Sequence, residues 1–385
     1  QTKANLVYRI MSNKTIGSDN PAALYQPDAI FVEQNAKDYP LTKKILSTLP
    51  YIPVHEIQNV TQVEEQFKSS RSDVFGEGKK NLVLSRFNGS FLKKCPGASP
   101  GMVCCNYYVV NLSKNCLYDC SYCFLQDFLK NNPLQVAYVN VEDLIQELGD
   151  VFTEFSDRTF RVGTGEIADS LALDFLIPYS QFLIPFFNLQ KNAVLELKTK
   201  SDCIENLLDQ PDPTNVIVSW SINPQQVIDG EEKGTPSLEK RLHAASLCVG
   251  KGYRVGFHLD PIILIPGWEK AYRELVDVLF DFIPASSMEW VSLGSFRYRP
   301  SLKPIIKSRH PETMLFTGEH LPSKDGKFRY LRPLRNQAYE TIRGFLQDKS
   351  KELSIYMCME TKEVWEGVTG KTPRSDEKLD AFFDL

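Results

Sequence analysis

The sequence predicts an α/β protein whose largest part is a parallel sheet curled into an open or complete barrel. Strand-like and helix-like segments alternate from residue 106 onward, and a Pro- and Gly-rich stretch at 94–101 separates them from an earlier mixed segment. The 385 residues suffice for one domain of about 250 residues and a smaller one. Repeated strand–helix units bury their apolar faces well as a parallel sheet covered by helices.

Residues 1–95 predict a small N-terminal α/β domain. Strand-like segments at 29–33 and 82–85 alternate with helix-like segments at 41–49 and 62–68. The Pro and Gly residues of 94–101 are typical of a linker, because both interrupt helices and strands. We therefore expect the first domain to end near residue 95.

The barrel is predicted to occupy residues 96–300. Its strands are expected at 107–112, 159–163, 194–199, 215–221, 254–259 and 290–294. Helix-like runs at 141–152, 238–249 and 268–282 lie between them. In such barrels the chemistry takes place at the C-terminal ends of the strands, so polar residues that directly follow a strand are candidates for the site.

Three cysteines, Cys116, Cys120 and Cys123, follow the first predicted strand with the spacing C-x₃-C-x₂-C. Three thiolates on one short loop can bind three irons of a [4Fe–4S] cluster and leave the fourth iron open for a small molecule. In radical S-adenosylmethionine (SAM) enzymes the open iron chelates the amino acid end of SAM. One electron then cleaves SAM to methionine and a 5′-deoxyadenosyl radical. The motif therefore predicts a [4Fe–4S] cluster and SAM as cofactors.

The alternatives are three unrelated buried thiols or a zinc site, with Cys104, Cys105 or a distant histidine as its fourth ligand. Structural zinc usually takes four ligands, commonly in C-x₂-C pairs. The triad spacing, the aromatic Tyr122 before the last cysteine and the position after a strand favour the cluster.

Polar residues follow the next three predicted strands and are candidates for binding SAM. Thr164 and Glu166 lie in a glycine-containing turn after the second strand, where the backbone can approach a ligand closely. Lys200 follows the third strand and can meet a carboxylate, while Ser221 and Asn223 follow the fourth and can bind ribose or carboxylate oxygens. The alternatives are an ordinary strand–helix turn and a surface lysine.

The fifth predicted strand carries His258 and Asp260, which point to the same side because strand residues two apart share a face. If that side is the barrel interior, both are polar groups in the reaction chamber and candidate catalytic residues. A His–Asp pair that satisfies its own hydrogen bonds in the core is the competing interpretation.

Composition indicates a reducing compartment. Nine cysteines in 385 residues do not resemble a secreted disulfide framework, so we expect a cytoplasmic protein. The first twelve residues lack the apolar core of a signal peptide. No apolar run approaches the roughly 18 residues of a membrane span, so no membrane partner is expected.

The net charge of −4 conceals a basic segment between residues 297 and 343. Eleven Lys and Arg residues lie there against four Asp and Glu residues, with aromatic residues interleaved. Such a mixture suits phosphate contact and base stacking in nucleic acid, whereas a solvated basic face is the alternative. The candidates for nucleic-acid contact are Arg297, Arg299, Lys327, Arg329, Tyr330 and Arg332.

Several motifs, in their order along the chain, resemble the spore photoproduct lyase family over residues 25–360. These motifs are Cys116-Leu-Tyr-Asp-Cys-Ser-Tyr-Cys-Phe-Leu-Gln126, Tyr138-Val-Asn140, Lys200 before Glu205-Asn-Leu-Leu-Asp209, Ser221-Ile-Asn223, Arg241-Leu with Gly252-Tyr, and Gly267-Trp268. The resemblance implies the partial (β/α)6 TIM-type barrel of radical SAM enzymes. It also implies a smaller N-terminal α/β domain and a C-terminal β-hairpin and helix extension, which we place at 301–385.

The resemblance implies an enzyme that repairs a UV-made thymine lesion, 5-thyminyl-5,6-dihydrothymine, in DNA. The 5′-deoxyadenosyl radical abstracts one hydrogen atom from the lesion, and the methylene bridge then fragments. The partners implied are UV-damaged DNA and a flavodoxin- or ferredoxin-type electron donor.

The same resemblance assigns roles to residues of this chain. The implied cluster ligands are Cys116, Cys120 and Cys123. The residues implied around SAM are Tyr122, Lys200, Ser221 and Asn223. Arg329-Tyr330 matches the Arg-Tyr of a hairpin that inserts at the lesion in duplex DNA.

Two positions depart from the family pattern. The family's lyase returns a hydrogen atom to the product radical from a cysteine at the end of the second barrel strand, where this chain has Gly163. The tyrosine that follows the third cluster cysteine and supports this transfer is Phe124 here. Cys358 is taken as the candidate catalytic thiol, although a buried or spare thiol is the plainer interpretation. Further candidate donors are Cys95, Cys104 and Cys105.

Two other functions stay open. One is radical SAM modification of another substrate, such as an RNA base, a nucleotide or a protein side chain. The missing thiol at position 163 and the polar pair on the fifth strand favour it. The other is a non-catalytic DNA-damage binder or an iron–sulfur sensor that keeps the cysteine loop.

Overall fold

The computed structural model describes residues 25–68, 73–97, 99, 101–103, 105–211 and 213–371. The strands, numbered in chain order, are β1 Ala29–Glu33, β2 Val54–Ile57, β3 Asn81–Ser85, β4 Leu92–Lys94, β5 Tyr107–Val110, β6 Ser113–Lys114, β7 Asp119–Cys120, β8 Gln135–Tyr138, β9 Phe160–Gly163, β10 Ala193–Thr199, β11 Val216–Ser221, β12 Glu232–Lys233, β13 Arg254–Ile262, β14 Met288–Ser295, β15 Arg297–Tyr298, β16 His320–Pro322, β17 Phe328–Tyr330 and β18 Ile355–Met357. The α-helices are Pro40–Thr48, Thr61–Lys68, Val74–Gly78, Leu125–Phe128, Val141–Glu154, Tyr179–Asn188, Glu205–Leu208, Gln225–Glu231, Leu238–Gly250, Trp268–Phe282, Leu302–Arg309, Arg332–Lys349 and Lys362–Thr369. Within these ranges, no helix combines the length and the apolar character that crossing a membrane requires.

The eight-stranded sheet has the order β18-β14-β13-β11-β10-β9-β5-β4 and is parallel except for β4, which pairs antiparallel with β5. The sheet is curled, so that strands five positions apart in its order meet. Arg161 on β9 donates a hydrogen bond of 3.1 Å to the Tyr356 hydroxyl on β18. All six predicted strands lie in this sheet, and β18 adds a seventh parallel strand. The predicted partial barrel is confirmed.

Residues of the barrel strands alternate between an outer apolar face and a polar interior. On β10, Leu195 and Leu197 are buried in the main hydrophobic core. Between them, Glu196 binds Arg161 of β9 and His258 of β13. A parallel sheet covered by helices normally buries apolar residues on both faces, so charged residues inside this barrel mark a functional chamber.

The five-stranded sheet has the order β2-β1-β3-β8-β6 and contains the N-terminal strands. It differs from the predicted 1–95 domain, because β6 and β8 come from residues after 95. Conversely, β4 lies before residue 95 and β18 lies after residue 300, yet both belong to the barrel sheet. The sheets therefore do not divide at residues 95 and 300. The sequence did not predict this because apolar periodicity marks a segment as a strand but does not specify which strand lies beside it.

The C-terminal part contains a three-stranded antiparallel sheet of order β15-β17-β16, in which β16 and β17 form the predicted hairpin. A separate core supports this sheet and includes Phe296, Tyr298, Leu302 and Tyr330. The small sheet follows β14 directly in the chain, so it stands at the end of the barrel where the parallel strands terminate.

Candidate active site at the C-terminal end of the barrel

The cysteine loop follows β6 and begins with a backbone turn at Asn115. This asparagine is fully buried and has a φ of 71°, a left-handed conformation that asparagine tolerates better than most residues. Its side-chain oxygen accepts a 2.9 Å hydrogen bond from the Cys116 amide. Further along the loop, β7 pairs antiparallel with β12, with Cys120 opposite Glu232. The loop is therefore fixed at its start and joined to a second segment at its middle.

Gln126 holds the loop from the inside. Its side-chain nitrogen donates to three loop carbonyls at distances between 2.8 and 3.3 Å. Its side-chain oxygen accepts a 2.6 Å hydrogen bond from Arg309, which also pairs with Asp73 at 2.8 Å and with Asp119 at 3.0 Å. Segments from the N-terminal part, the loop and the C-terminal part are thus locked together.

The thiols of Cys116, Cys120 and Cys123 lie in a mostly buried position beside positive charge. Burial raises the pKa of Cys116 to about 12 and raises the pKa values of the other two thiols. The charges of Lys79 and Lys200 act in the opposite direction. Metal-bound thiols are deprotonated, and neighbouring cations stabilise thiolates, so this donor set fits the predicted cluster.

The zinc alternative receives no support from the described residues. Among them, no three His, Cys, Asp or Glu side chains converge on a position for one metal ion. A [4Fe–4S] cluster requires a different geometry, since each thiolate binds a different iron. Cys104, one of the possible zinc ligands and hydrogen donors, lies outside the described residues.

Glu232 connects most of the predicted SAM-binding residues. It is 1% exposed, accepts hydrogen bonds from the Tyr122 hydroxyl and from Asn223 at 3.0 Å, and pairs with Arg241 at 2.6 Å. Burial alone would raise the pKa of Glu232, but the charges of Arg241 and Lys200 hold it below its usual value. The Lys200 ammonium also lies 5.7 Å from the centre of the Tyr122 ring.

The remaining predicted SAM-binding residues have other partners. Ser221 joins the group around Glu232 because its carbonyl accepts a 2.9 Å hydrogen bond from Arg241, the partner of Glu232. Thr164 donates to Ser170 at 2.8 Å, and Glu166 accepts from Asn111 at 2.8 Å. Roles for Thr164 and Glu166 in binding SAM stay predictions.

His258 faces the barrel interior and is bonded to Glu196, not to Asp260. Its Nε2 lies 2.8 Å from Glu196 Oε1, and Arg161 pairs with the other oxygen of Glu196 at 3.0 Å. Burial and then the charge of Lys198 lower the pKa of His258 to about 4. The ring is therefore neutral near neutral pH and donates to the carboxylate. The interior position agrees with the sequence, but the self-contained His–Asp pair does not form.

Asp260 has a different partner at the end of the barrel. It forms a bidentate ion pair with Arg297, at 2.9 and 3.1 Å, and Arg297 also lies 3.9 Å from the Cys358 sulfur. Burial would raise the pKa of Asp260, but the guanidinium holds it well below its usual range. Burial raises the pKa of Cys358 to about 11, so this thiol keeps its proton near neutral pH.

Gly163 ends β9 and lies against the hydroxyl of Tyr107. A Cβ atom placed on Gly163 would lie 1.5 Å from Tyr107 Oη, which is far shorter than any non-bonded contact. The second departure from the family pattern, Phe124, is 49% exposed, and its ring lies 6.0 Å from that of Phe128.

Two of the residues predicted to contact nucleic acid are buried. Arg329 is 1% exposed and forms a bidentate ion pair with Asp325, at 2.5 and 2.8 Å. Tyr330 is 5% exposed, and its hydroxyl accepts a hydrogen bond from the Leu264 amide. Both stabilise the three-stranded sheet, so in this conformation neither presents its side chain to DNA as the sequence suggested.

The other predicted nucleic-acid residues divide by exposure. Arg299 and Arg332 are exposed, while Arg297 and Lys327 are half-buried. Burial and then the charge of Arg297 lower the pKa of Lys327, with further contributions from Arg299 and Arg329. Arg297, Arg299, Lys327 and Arg329 therefore lie close together.

Several site residues were missed from the sequence. They are Tyr107, Arg161, Glu196 and Glu232. Glu196 could have been recognised, because it is a charged residue within the otherwise apolar run Val194-Leu-Glu-Leu197. Glu232 sits in the run Glu231-Glu-Lys233, which is typical of a solvated face and gave no such signal.

A model of the family described as spore photoproduct lyase matches residues 25–354. Spore photoproduct lyases from Geobacillus sp. (strain Y412MC61) and Bacillus subtilis (strain 168) are each 26% identical to this chain, over 338 and 296 residues. The alignments cover 84% and 76% of this chain, and 95% and 84% of those proteins.

Solved structures confirm the fold. A spore photoproduct lyase complexed with dinucleoside spore photoproduct matches with a TM-score of 0.76 and 24% identity, over 86% of this chain and 98% of that chain. A mutant lyase with bound AdoMet and dinucleoside spore photoproduct matches with a TM-score of 0.74 and 23% identity, over 88% and 99% of the two chains. Because the family model matches most of its length, the chain belongs to the spore photoproduct lyase family of radical SAM enzymes.

Proposed function

We propose that this chain repairs a thymine lesion of the spore photoproduct type in DNA by radical SAM chemistry. The observation that carries the proposal is the contact between the cysteine loop and the SAM-binding group. Cys120 lies opposite Glu232 in the β7–β12 pair, and Glu232 binds both Tyr122 and Asn223. When bound, the [4Fe–4S] cluster and SAM supply a 5′-deoxyadenosyl radical that abstracts one hydrogen atom from the lesion.

Residues of this chain hold and orient the cofactors. Cys116, Cys120 and Cys123 would bind three irons. Lys200, whose pKa is raised by Glu232 although burial acts against it, stays charged and would meet the carboxylate of SAM. Asn223, held by Glu232, would bind ribose or carboxylate oxygens.

The interior groups at the end of the barrel suit a thymine ring. A thymine presents one N–H donor and two carbonyl acceptors on its edge. Asp260 and Arg297 offer a matching acceptor and donors, and their mutual ion pair fixes both in place. His258 lies deeper, where its bond to Glu196 holds the wall of the chamber.

DNA and an electron donor are the partners of this activity. Arg299 and Arg332 are exposed and lie on either side of the hairpin in sequence, where they would contact phosphates. A flavodoxin- or ferredoxin-type protein would supply the electron. Phe124 and Phe128 are 49% and 54% exposed directly after the cysteine loop and offer an apolar surface for its approach.

Modification of a different substrate is the second candidate. It is favoured by the departures at Gly163 and Phe124, which remove two groups of the family's hydrogen-transfer chemistry. A substrate whose product radical needs no returned hydrogen would not require them.

The test is anaerobic reconstitution of the cluster, followed by SAM, dithionite and the spore photoproduct in a dinucleotide and in duplex DNA. 5′-Deoxyadenosine and released thymine are measured by liquid chromatography and mass spectrometry. Both products rising together would support lesion repair. Deoxyadenosine without thymine would contradict the lesion as substrate and favour the second candidate.

A further inference from the structure

Gly163, at the end of β9, leaves the proposed repair reaction without a hydrogen-atom donor at that position. Removal of one hydrogen atom from 5-thyminyl-5,6-dihydrothymine and cleavage of its methylene bridge leave one thymine and one thymine carbon radical. That radical lacks one hydrogen atom compared with thymine. A donor must therefore deliver a hydrogen atom inside the chamber, and Gly163 has no side chain to do so.

The hydroxyl of Tyr107 occupies the space in which a side chain at position 163 would begin. A Cβ atom on Gly163 would lie 1.5 Å from Tyr107 Oη and 2.3 Å from Tyr107 Cζ. The two residues are diagonal neighbours on paired strands, since Tyr107 pairs with Arg161 and Val109 pairs with Gly163. The glycine is thus required by the tyrosine, and the phenol takes over this part of the chamber.

The surroundings of Tyr107 keep its phenol protonated and its ring fixed. Burial and then the negative charge of Glu196 raise the pKa of Tyr107 well above its usual value. The Arg161 guanidinium lies 4.9 Å from the centre of the Tyr107 ring. The residue is half-buried, and its hydroxyl lies beside Gly163, which shares the interior face of β9 with Arg161.

We propose that Tyr107 is the hydrogen-atom donor that replaces a thiol at position 163. The inference rests on the proposed lesion-repair function. The phenolic O–H bond breaks and a C–H bond forms on the thymine methylene radical, which gives thymine and a neutral tyrosyl radical. One electron from the flavodoxin- or ferredoxin-type donor and one proton from solvent then restore the phenol.

Cys358 is the competing donor. Its sulfur lies 3.9 Å from Arg297, whereas the three atoms nearest to a Cβ placed on Gly163 all belong to Tyr107. Tyr107 is the better placed of the two because its oxygen stands within the volume of the missing side chain.

The experiment compares Tyr107→Phe, Tyr108→Phe and Cys358→Ala in the reconstituted enzyme with the dinucleotide lesion. Tyr108 is a matched control, because it is the next residue on β5 and packs on the opposite face against Phe160. We expect Tyr107→Phe to form 5′-deoxyadenosine but to give about tenfold less dinucleotide with both thymines restored per deoxyadenosine, with the balance in radical adducts. The two other variants should keep the wild-type ratio.

Two further readouts separate a chemical role from a structural one. Freeze-quenched wild-type enzyme with ring-deuterated tyrosine should show a narrowed tyrosyl signal in electron paramagnetic resonance, and Tyr107→Phe should lack it. The double variant Tyr107→Ala with Gly163→Cys removes the clash and places a thiol at position 163. It should give more dinucleotide with both thymines restored, per deoxyadenosine, than Tyr107→Ala alone.

A wild-type ratio of fully restored dinucleotide to deoxyadenosine in Tyr107→Phe would overturn the inference while the proposed function stood. Loss of the fully restored dinucleotide only in Cys358→Ala would also overturn it and assign the donor to that thiol. Wild-type enzyme that cleaves SAM without releasing thymine would refute the proposed function, and this inference with it.

Discussion

Replacing Glu232 by glutamine should destabilise the protein more than its modest change in shape suggests. The Glu232 and Arg241 side chains are both 0% exposed and pair at 2.6 Å. The substitution leaves Arg241 buried without its counter-charge, and removing one partner of a buried ion pair typically costs about 3–5 kcal/mol. Domains are stable by only about 5–15 kcal/mol, so this is a large fraction of the total.

The assay is urea unfolding followed by tryptophan fluorescence at pH 7. Glu274→Gln is the matched control, because Glu274 pairs with Lys270 on an exposed helix face at 3.7 Å, with side chains 64% and 84% exposed. Such surface pairs contribute about 0.3–0.5 kcal/mol. A loss of unfolding free energy below about 1 kcal/mol in Glu232→Gln would refute the reasoning that Glu232 is the buried counter-charge of Arg241.

The pH dependence supplies a second check on Glu232. Its pKa is lower in the folded protein than in the unfolded chain, so its contribution is present above the unfolded pKa and is lost as pH falls through the folded pKa. The difference in stability between wild type and Glu232→Gln should therefore be largest near neutral pH and shrink in acid. An equal difference at pH 7 and in acid would contradict the ion-pair explanation.

Three further outcomes are expected. Cys120→Ala should prevent stable cluster assembly and SAM cleavage, measured as iron content and deoxyadenosine. Cys248→Ala, at a buried helix position outside the loop, is the control and should not change either readout. Normal iron content in Cys120→Ala would contradict the ligand assignment. Gly163→Cys alone should destabilise the protein by about 1–3 kcal/mol through overpacking and so lower its thermal midpoint, and the same substitution should cost less in a Tyr107→Ala background; an unchanged midpoint in the single variant would contradict the close contact. Arg299→Glu should weaken binding to duplex DNA at low salt, with the difference vanishing at high salt, and equal affinity at low salt would remove Arg299 from the interface.

The sequence predicted the barrel strands and their helices well because these segments carry strong local patterns. The helix Trp268–Phe282 has the predicted bounds, and the strand Val216–Ser221 begins one residue later than expected. Both are apolar and periodic over many residues. β18, with only three residues, is too short for such a pattern and was not predicted.

The site was only partly predictable. The cysteine spacing is a local signal that singles out the loop from the sequence alone, and its role as the cluster site stays a prediction. The contact of Tyr122 with Glu232 spans 110 residues, and neither residue indicates the other. The position of Arg329 was misjudged for the same reason, since its basic character was visible but its burial beside Asp325 depends on how the hairpin packs.

The short β7–β12 ladder makes the two proposed cofactor sites one thermodynamic unit. One strand carries Cys120, a predicted cluster ligand, and the other carries the carboxylate that orders the predicted SAM-binding side chains. Any free energy by which an assembled cluster tightens SAM binding must equal that by which SAM tightens retention of the cluster. A preparation with incomplete clusters should therefore bind SAM weakly, and saturating SAM should slow the loss of iron from the protein.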